Sequence, residues 1–291
     1  MGKSTGPSSD HLRGLALTTA GVLVLTPDAL LLRLLSADPW TIVFWRGLLM
    51  AVTLAAGIQA FGEGGLRSTA RSIGGAGLLI AILWAGNAVL FVVAITHTSI
   101  ANTLIIIAAV PMIAAILSHL FLREPVGART WAAIAATLFG VAIVVWNGLG
   151  HGTLGGDLAA LAAAGFAAAT FVVLRRSRAV NMVPATALSG VIAALSVAGV
   201  ATPFSIGIED ALVLGLMGLV VLPVSFGLIT LGPRYLPAPE VSLLLLLETV
   251  LGPVLVWLVL GEAVSTATLV GGAVVIVALA IHAILLLRGI R

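Results

Sequence analysis

Apolar residues in this chain come in long runs, not at the two-residue spacing of a half-buried strand or the 3.6-residue spacing of a surface helix. Ten such runs fall at roughly 12–33, 40–61, 73–94, 99–121, 130–146, 157–175, 183–203, 211–231, 239–260 and 267–287. A helix needs ~20 mostly apolar residues to cross a hydrocarbon layer ~30 Å thick. Each run therefore predicts a membrane-spanning helix, and the fold class is all-α and polytopic. The breaks carry turn chemistry or charge: Asp38-Pro39, Glu63-Gly64-Gly65, Arg123-Glu124-Pro125, Gly148 to Gly156, Arg175 to Arg178, Glu209-Asp210, Pro233 to Pro239 and Gly261-Glu262. Residues 1–11 form a short polar tail, and the first run is too long for the apolar core of a signal peptide.

Charge adds direction. With the N-terminus in the cytoplasm and the spans alternating, the inner segments collect Lys3, Arg13, Arg67, Arg71, Arg123, Arg129, Arg175, Arg176, Arg178, Arg234, Arg288 and Arg291, twelve of the fourteen cations. That is the positive-inside pattern, and one span more or fewer would scramble it. Both termini are expected in the cytoplasm.

Composition narrows the function classes. Sixty per cent of residues are hydrophobic and 9% charged, against ~25% charged in a soluble domain. The absence of cysteine removes disulfides, thiolate nucleophiles and Cys-based metal sites. Lys3 is the only lysine, which rules out a Walker A loop and with it ATP-driven transport by this chain alone. No basic run with interleaved aromatics supports nucleic-acid binding. Gly150 to Gly155 fits the dinucleotide pattern but lies between two spans with no strand before it, and is discarded.

The halves resemble each other. Residues 99–143 and 237–281 superpose without a gap when Glu124 is set on Glu262, which puts Val110-Pro111 opposite Glu248-Thr249. Two repeats, 12–150 and 151–291, then hold five spans each. An odd number inverts the second repeat, an arrangement found in transporters with substrate held near the midplane.

Several stretches also resemble the drug/metabolite transporter superfamily, in its ten-helix EamA-type branch. They are Asp38-Pro39 to Arg46, Asn87 to Ser99, Pro111 to Glu124, Gly156 to Leu161 with Leu174 to Arg176, and Leu244 to Glu248 with Gly261-Glu262. The chain departs from that pattern at Thr249, where the family has proline, and Pro253 follows a turn later. Within the branch it is similar to the YddG-like aromatic amino-acid exporters. The resemblance implies a bacterial inner-membrane carrier with helices five and ten at the periphery and no cofactor. Its implied partners are membrane lipids and a small-molecule substrate; the chain is compatible with a monomer.

Polar groups inside spans cost ~2.5–3.5 kcal/mol for a central charge, so each invites a reason. Glu248 falls near the middle of its span, as a substrate-amine or proton site or a carboxyl locking two helices. Arg46 lies above the midplane, placed either for a substrate carboxylate or to hold Asp28 or Asp38. Pro27 interrupts the first span beside Asp28, suiting gating or capping. Ile80, Trp84, Asn87 and Phe91 form one stripe, and Phe166 and Thr170 share a face. A Trp and an amide at mid-depth suit an aromatic zwitterion; the alternative is a packed helix contact with Asn87 bonding a neighbouring backbone. Phe171, Ser225, Phe226 and Thr230 are further lining candidates, and Asn102 reads as a solvated helix-end group. The histidines are not paired as metal ligands. An intramembrane lipid-modifying enzyme would need a denser constellation than Asp28 with Glu248. A channel or sensor is the third alternative to a secondary transporter.

Overall fold

The computed structural model describes residues 9–61, 65–146, 153–261 and 266–287. The tail before Ser9, Glu63, His151, Gly150 to Gly152, Glu262, Arg288 and Arg291 lie outside the described residues. Within them the chain is helical in ten passes. We label these α1 (Ser9–Leu25 and Pro27–Leu34), α2 (Pro39–Phe61), α3 (Gly74–His97), α4 (Ile100–Ile107, Val110–Leu117 and Ser118–Leu122) and α5 (Ala128–Val145). The second five are α6 (Leu154–Arg176), α7 (Val183–Val197), α8 (Ile208–Leu216, Met217–Val221 and Leu222–Leu231), α9 (Ala238–Leu260) and α10 (Thr266–Leu287).

Local chemistry sets the breaks. Ser99 caps α4 by accepting from Asn102 N at 3.0 Å, and Thr153 caps α6 through Gly156 N at 3.2 Å. Pro27 cannot donate to the carbonyl of Leu23, and α1 divides there, with Thr26 Oγ1 donating back to Val22 O at 3.1 Å. Pro111 divides α4 in the same way. Pro253, in contrast, sits inside a continuous α9. Gly261 ends that helix with φ +69°, a conformation that favours glycine.

Two expectations are corrected. The seventh span ends at Val197 and not at residue 203, because the next residues are held by the start of α2. Thr202 N donates to Thr41 Oγ1 at 2.8 Å, Thr202 Oγ1 to Asp38 Oδ2 at 3.0 Å, and Trp45 Nε1 to Pro203 O at 3.0 Å. A short helix absent from the sequence reading, Gly65–Ser72, connects α2 to α3 with Arg67 and Arg71 one turn apart.

The bundle is turned outside in relative to a soluble protein. Leu23, Val52, Leu78, Phe139, Leu195, Leu219 and Val259 are exposed, while the interior of α6 is built from Ala159, Ala160, Ala163, Ala164, Ala167 and Ala168. Lipid suits the apolar exterior, and small residues let backbones approach. Among the described residues, seven helices are long and apolar enough to cross a membrane; those at 128–144, 183–197 and 269–285 are shorter.

Packing follows the repeat. α3 lies along α6 and α1 along α8; α2 packs on α7, α4 on α9 and α5 on α10. A Cβ on Gly47 would strike the carbonyl oxygen of Gly190, and one on Gly190 would strike that of Gly47. Gly140 and Gly271 stand in the same mutual relation. Gly14 sits against Tyr235 and Leu236 as Gly156 sits against His97 and Thr98. Contacts that repeat with partners exchanged are what a two-fold axis produces. The protein is a polytopic membrane protein of two inverted repeats.

Candidate functional site

The predicted residues separate into two groups at mid-depth. The first surrounds Trp84, ten residues into α3. Its ring meets Phe171 of α6 edge-on (centroids 5.5 Å apart, planes at 88°) and Phe226 of α8 likewise (5.4 Å, 84°). The three rings come from both repeats and sit in the largest apolar cluster, with Val22, Leu25 and Leu244. Trp84 Nε1 is buried and has no hydrogen-bond partner among the described residues. An unspent buried donor costs about 1–3 kcal/mol, so it asks for a use.

The rest of the α3 stripe is more structural. Asn87 Nδ2 donates to Ala163 O of α6 at 2.9 Å, the helix-contact alternative weighed for it. Phe166 lays its ring over Gly86, where a Cβ would collide with it. Thr170 donates to Phe166 O at 2.8 Å along its own helix and is fully buried. Phe91 is half-buried and joins no ring pair among the described residues. Ser225 donates to Leu222 O, and Thr230 shares a 2.8 Å hydrogen bond with Thr186 of α7.

The second group is charged. Arg46 of α2 donates through one guanidinium nitrogen to Asp28 Oδ2 at 2.7 Å, and both side chains are largely buried. Of the two acids considered for Arg46, Asp28 is the partner. The break at Pro27 places Asp28 in the first turn of a new helical segment, where the positive end of the helix dipole favours a carboxylate. Glu248 lies within electrostatic reach of both Asp28 and Arg46. Gly252, one turn further along α9, abuts Ala29, which fixes that face of α9 against α1. Glu248 is half-buried and makes no hydrogen bond among the described residues, so its carboxyl is open for a ligand or a proton.

Polar contacts tie the repeats together at both ends. At the end where α1 terminates, Asp210 Oδ2 accepts from Ser36 Oγ at 2.8 Å. There Asp38 caps α2 through the N–H groups of Trp40 and Thr41, both at 3.0 Å. Desolvation opposes ionisation of Asp38, but hydrogen bonds from Thr41, Thr202 and Trp40 outweigh it and hold the carboxyl below the ordinary aspartate range. Asn102, expected to be solvated, is buried, and its amide reaches Thr98 Oγ1 and Asp157 Oδ1, each at 3.3 Å. The approach of α6 to the α3–α4 corner removes it from water. At the opposite end, Arg175 Nε donates to Glu124 Oε1 and Oε2 at 3.0 and 3.3 Å, joining α6 to the α4–α5 connection.

Sequence reasoning treated Glu124 as a repeat landmark and Arg175 as a cytoplasmic charge, and so missed their pairing. The available signal was their opposite charge on the same predicted side of the membrane. Among the described residues, no three His, Cys, Asp or Glu side chains converge as metal ligands.

The sequence profile of the EamA-like transporter family matches the chain twice, over residues 12–146 and 154–284. No curated protein matches the sequence. A solved structure titled "Crystal structure of protein" superposes with a TM-score of 0.81 at 18% identity, over 96% of this chain and 99% of that one. That likeness shows the fold.

Proposed function

The chain belongs to the EamA-like transporter family, and we propose that it is a secondary carrier of a small zwitterionic metabolite, an aromatic amino acid or close relative, exported by alternating access. Two observations support this reading: an unspent indole N–H inside an aromatic cluster drawn from both repeats, and an open carboxyl within electrostatic reach of a buried ion pair. The site residues are Trp84, Asn87, Phe91, Phe166, Thr170 and Glu248, with Asp28, Arg46 and Pro27 governing the approach.

The chemistry supports the substrate class. An aromatic ring gains from edge and face contacts with Trp84, Phe171 and Phe226. A substrate ammonium finds Glu248, and a carboxylate finds the indole N–H or, if Arg46 releases Asp28, a guanidinium. Asn87, held to Ala163, acts by fixing the approach of α3 to α6, and Phe166 and Thr170 hold the α6 side of the same contact. Rocking one repeat against the other at the Gly47–Gly190 and Gly140–Gly271 contacts would expose this space to one side at a time. Without a nucleotide-binding loop, the driving force is a gradient of substrate, ion or proton. We place both termini in the cytoplasm of a bacterial inner membrane, on the arginine distribution.

Counterflow tests the reading. Proteoliposomes preloaded with unlabelled phenylalanine should take up external labelled phenylalanine several-fold faster than empty ones, and Glu248→Gln should abolish the difference. Equal uptake across phenylalanine, tryptophan and tyrosine in loaded and empty vesicles would remove the aromatic assignment.

A further inference from the structure

At the end of the bundle where α1 begins, a cavity of about 300 Å3 lies between the two repeats. It lies at the start of α9, about two helical turns from Glu248 along the same helix, and shares no lining residue with the Trp84 and Glu248 groups. Ser118, Glu124, Pro125 and Thr130 belong to the first repeat; Arg175, Pro237, Pro239 and Glu240 come from the second. The size suits a small molecule.

The wall chemistry has a sign. It holds two carboxyl groups and one guanidinium. Arg175 is already committed: its Nε serves both oxygens of Glu124, and another of its nitrogens donates to Pro233 O at 3.3 Å. Glu240 is only 8% exposed, yet its Oε2 has no hydrogen-bond partner among the described residues. His11 Nε2 approaches that oxygen from α1 to 3.6 Å, an ion pair only when the imidazole is protonated, with His282 of α10 beyond it. Ser118 Oγ is buried and also lacks a hydrogen-bond partner among the described residues. Three of the lining residues are prolines, which present carbonyls and no N–H.

Such a wall is rich in acceptors and poor in free donors. An ammonium group offers three donors, no acceptor and the compensating charge. An anion would face two carboxylates with the only guanidinium engaged. We propose that this cavity is a binding site for a small primary amine, whose ammonium seats on Glu240 Oε2 and Ser118 Oγ. Because the walls come from both repeats, an occupant ties them together at this end. The inference stands apart from the substrate site proposed above, since it concerns different residues and is read by binding, not transport.

The test uses the purified full chain in lipid nanodiscs, unfolded thermally in butylamine, in butyrate and in sodium chloride at equal ionic strength. Butylamine alone should raise the unfolding temperature, by at least about 2 °C at saturating concentration. Glu240→Gln should lose the shift. Gly127→Leu should lose it too: Gly127 lines the cavity, its φ is −65°, and an added Cβ meets nothing within 4 Å, so the larger side chain fills the space without a clash at its base. If Glu240→Gln does not fold, Gly127→Leu decides alone. The proposal is overturned if butylamine gives no shift, if butyrate or sodium chloride matches it, or if a folded variant of either kind retains it.

Discussion

The carbonyl oxygen of Gly47 fills the space a side chain on Gly190 would need, and the carbonyl of Gly190 does the same to Gly47. Residues from α2 and α7, equivalent helices of the two repeats, thus meet backbone to backbone. The exchange of roles places the pair on the pseudo-two-fold axis, and Gly140 with Gly271 marks it again between α5 and α10.

That contact gives the first prediction. Gly47→Ala meets a backbone atom that cannot rotate away, so it should cost about 1–3 kcal/mol, as overpacking does. Gly57→Ala, on the same helix with nothing within 4 Å of the added carbon, should be neutral or stabilising by up to about 1 kcal/mol. Thermal unfolding of the two variants side by side measures the difference. Equal effects would contradict the backbone contact.

The ion pair in α1 and α2 gives the second. Arg46→Ala strands a buried Asp28 and should cost about 3–5 kcal/mol, the range for breaking a buried pair. Asp28→Asn combined with Arg46→Gln removes both charges and should recover most of that loss. A double-mutant cycle in denaturant reads the coupling directly.

Trp84 separates packing from chemistry. Trp84→Phe keeps an aromatic ring against Phe171 and Phe226 but deletes the unspent N–H and leaves a smaller ring, so it should cost about 1–3 kcal/mol of stability and leave the protein folded. Phenylalanine flux should nevertheless fall by about tenfold, read as lost transition-state or substrate stabilisation. Unchanged flux in the folded variant would leave Trp84 a packing residue only.

Asp38 supplies a pH dependence with a fixed sign. Its folded pKa is depressed by the hydrogen bonds it accepts, so its contribution is fully present above the ordinary aspartate value and is lost as pH falls through the lower folded value. The difference in unfolding temperature between wild type and Asp38→Asn should be constant near neutrality and close in the acidic range below ordinary aspartate titration. A gap that persists there would assign the stabilisation to something other than the ionised cap.

Much of this architecture was legible in the sequence because a bilayer demands long apolar runs and segregates arginine. Glu248 and Arg46 stood out because a charge inside such a run needs a reason; the sequence left Asp28 and Asp38 both open as partners of Arg46, and the fold brings Asp28. What escaped depended on where a neighbour lies. Asn87 carries the same amide whether it faces a substrate or Ala163 O, and only the approach of α6 decides. The apolar stretch after Val197 reads as helix, but Thr202 and Pro203 are drawn to the start of α2. Asn102 looked like a helix-end group until Asp157 arrived beside it. Glu124 and Arg175 are 51 residues apart and pair only because the repeats fold onto each other.

The absence of cysteine makes alternating access directly measurable, since any introduced thiol is the only one. Glu248→Cys places it at the proposed central site. In oriented vesicles treated with a membrane-impermeant maleimide, the account predicts labelling from either face, with reagent already bound from one side blocking the other. Labelling from one face only, or from neither, under conditions where the vesicles are sealed and the protein is folded, would contradict a carrier whose central space opens to both sides in turn.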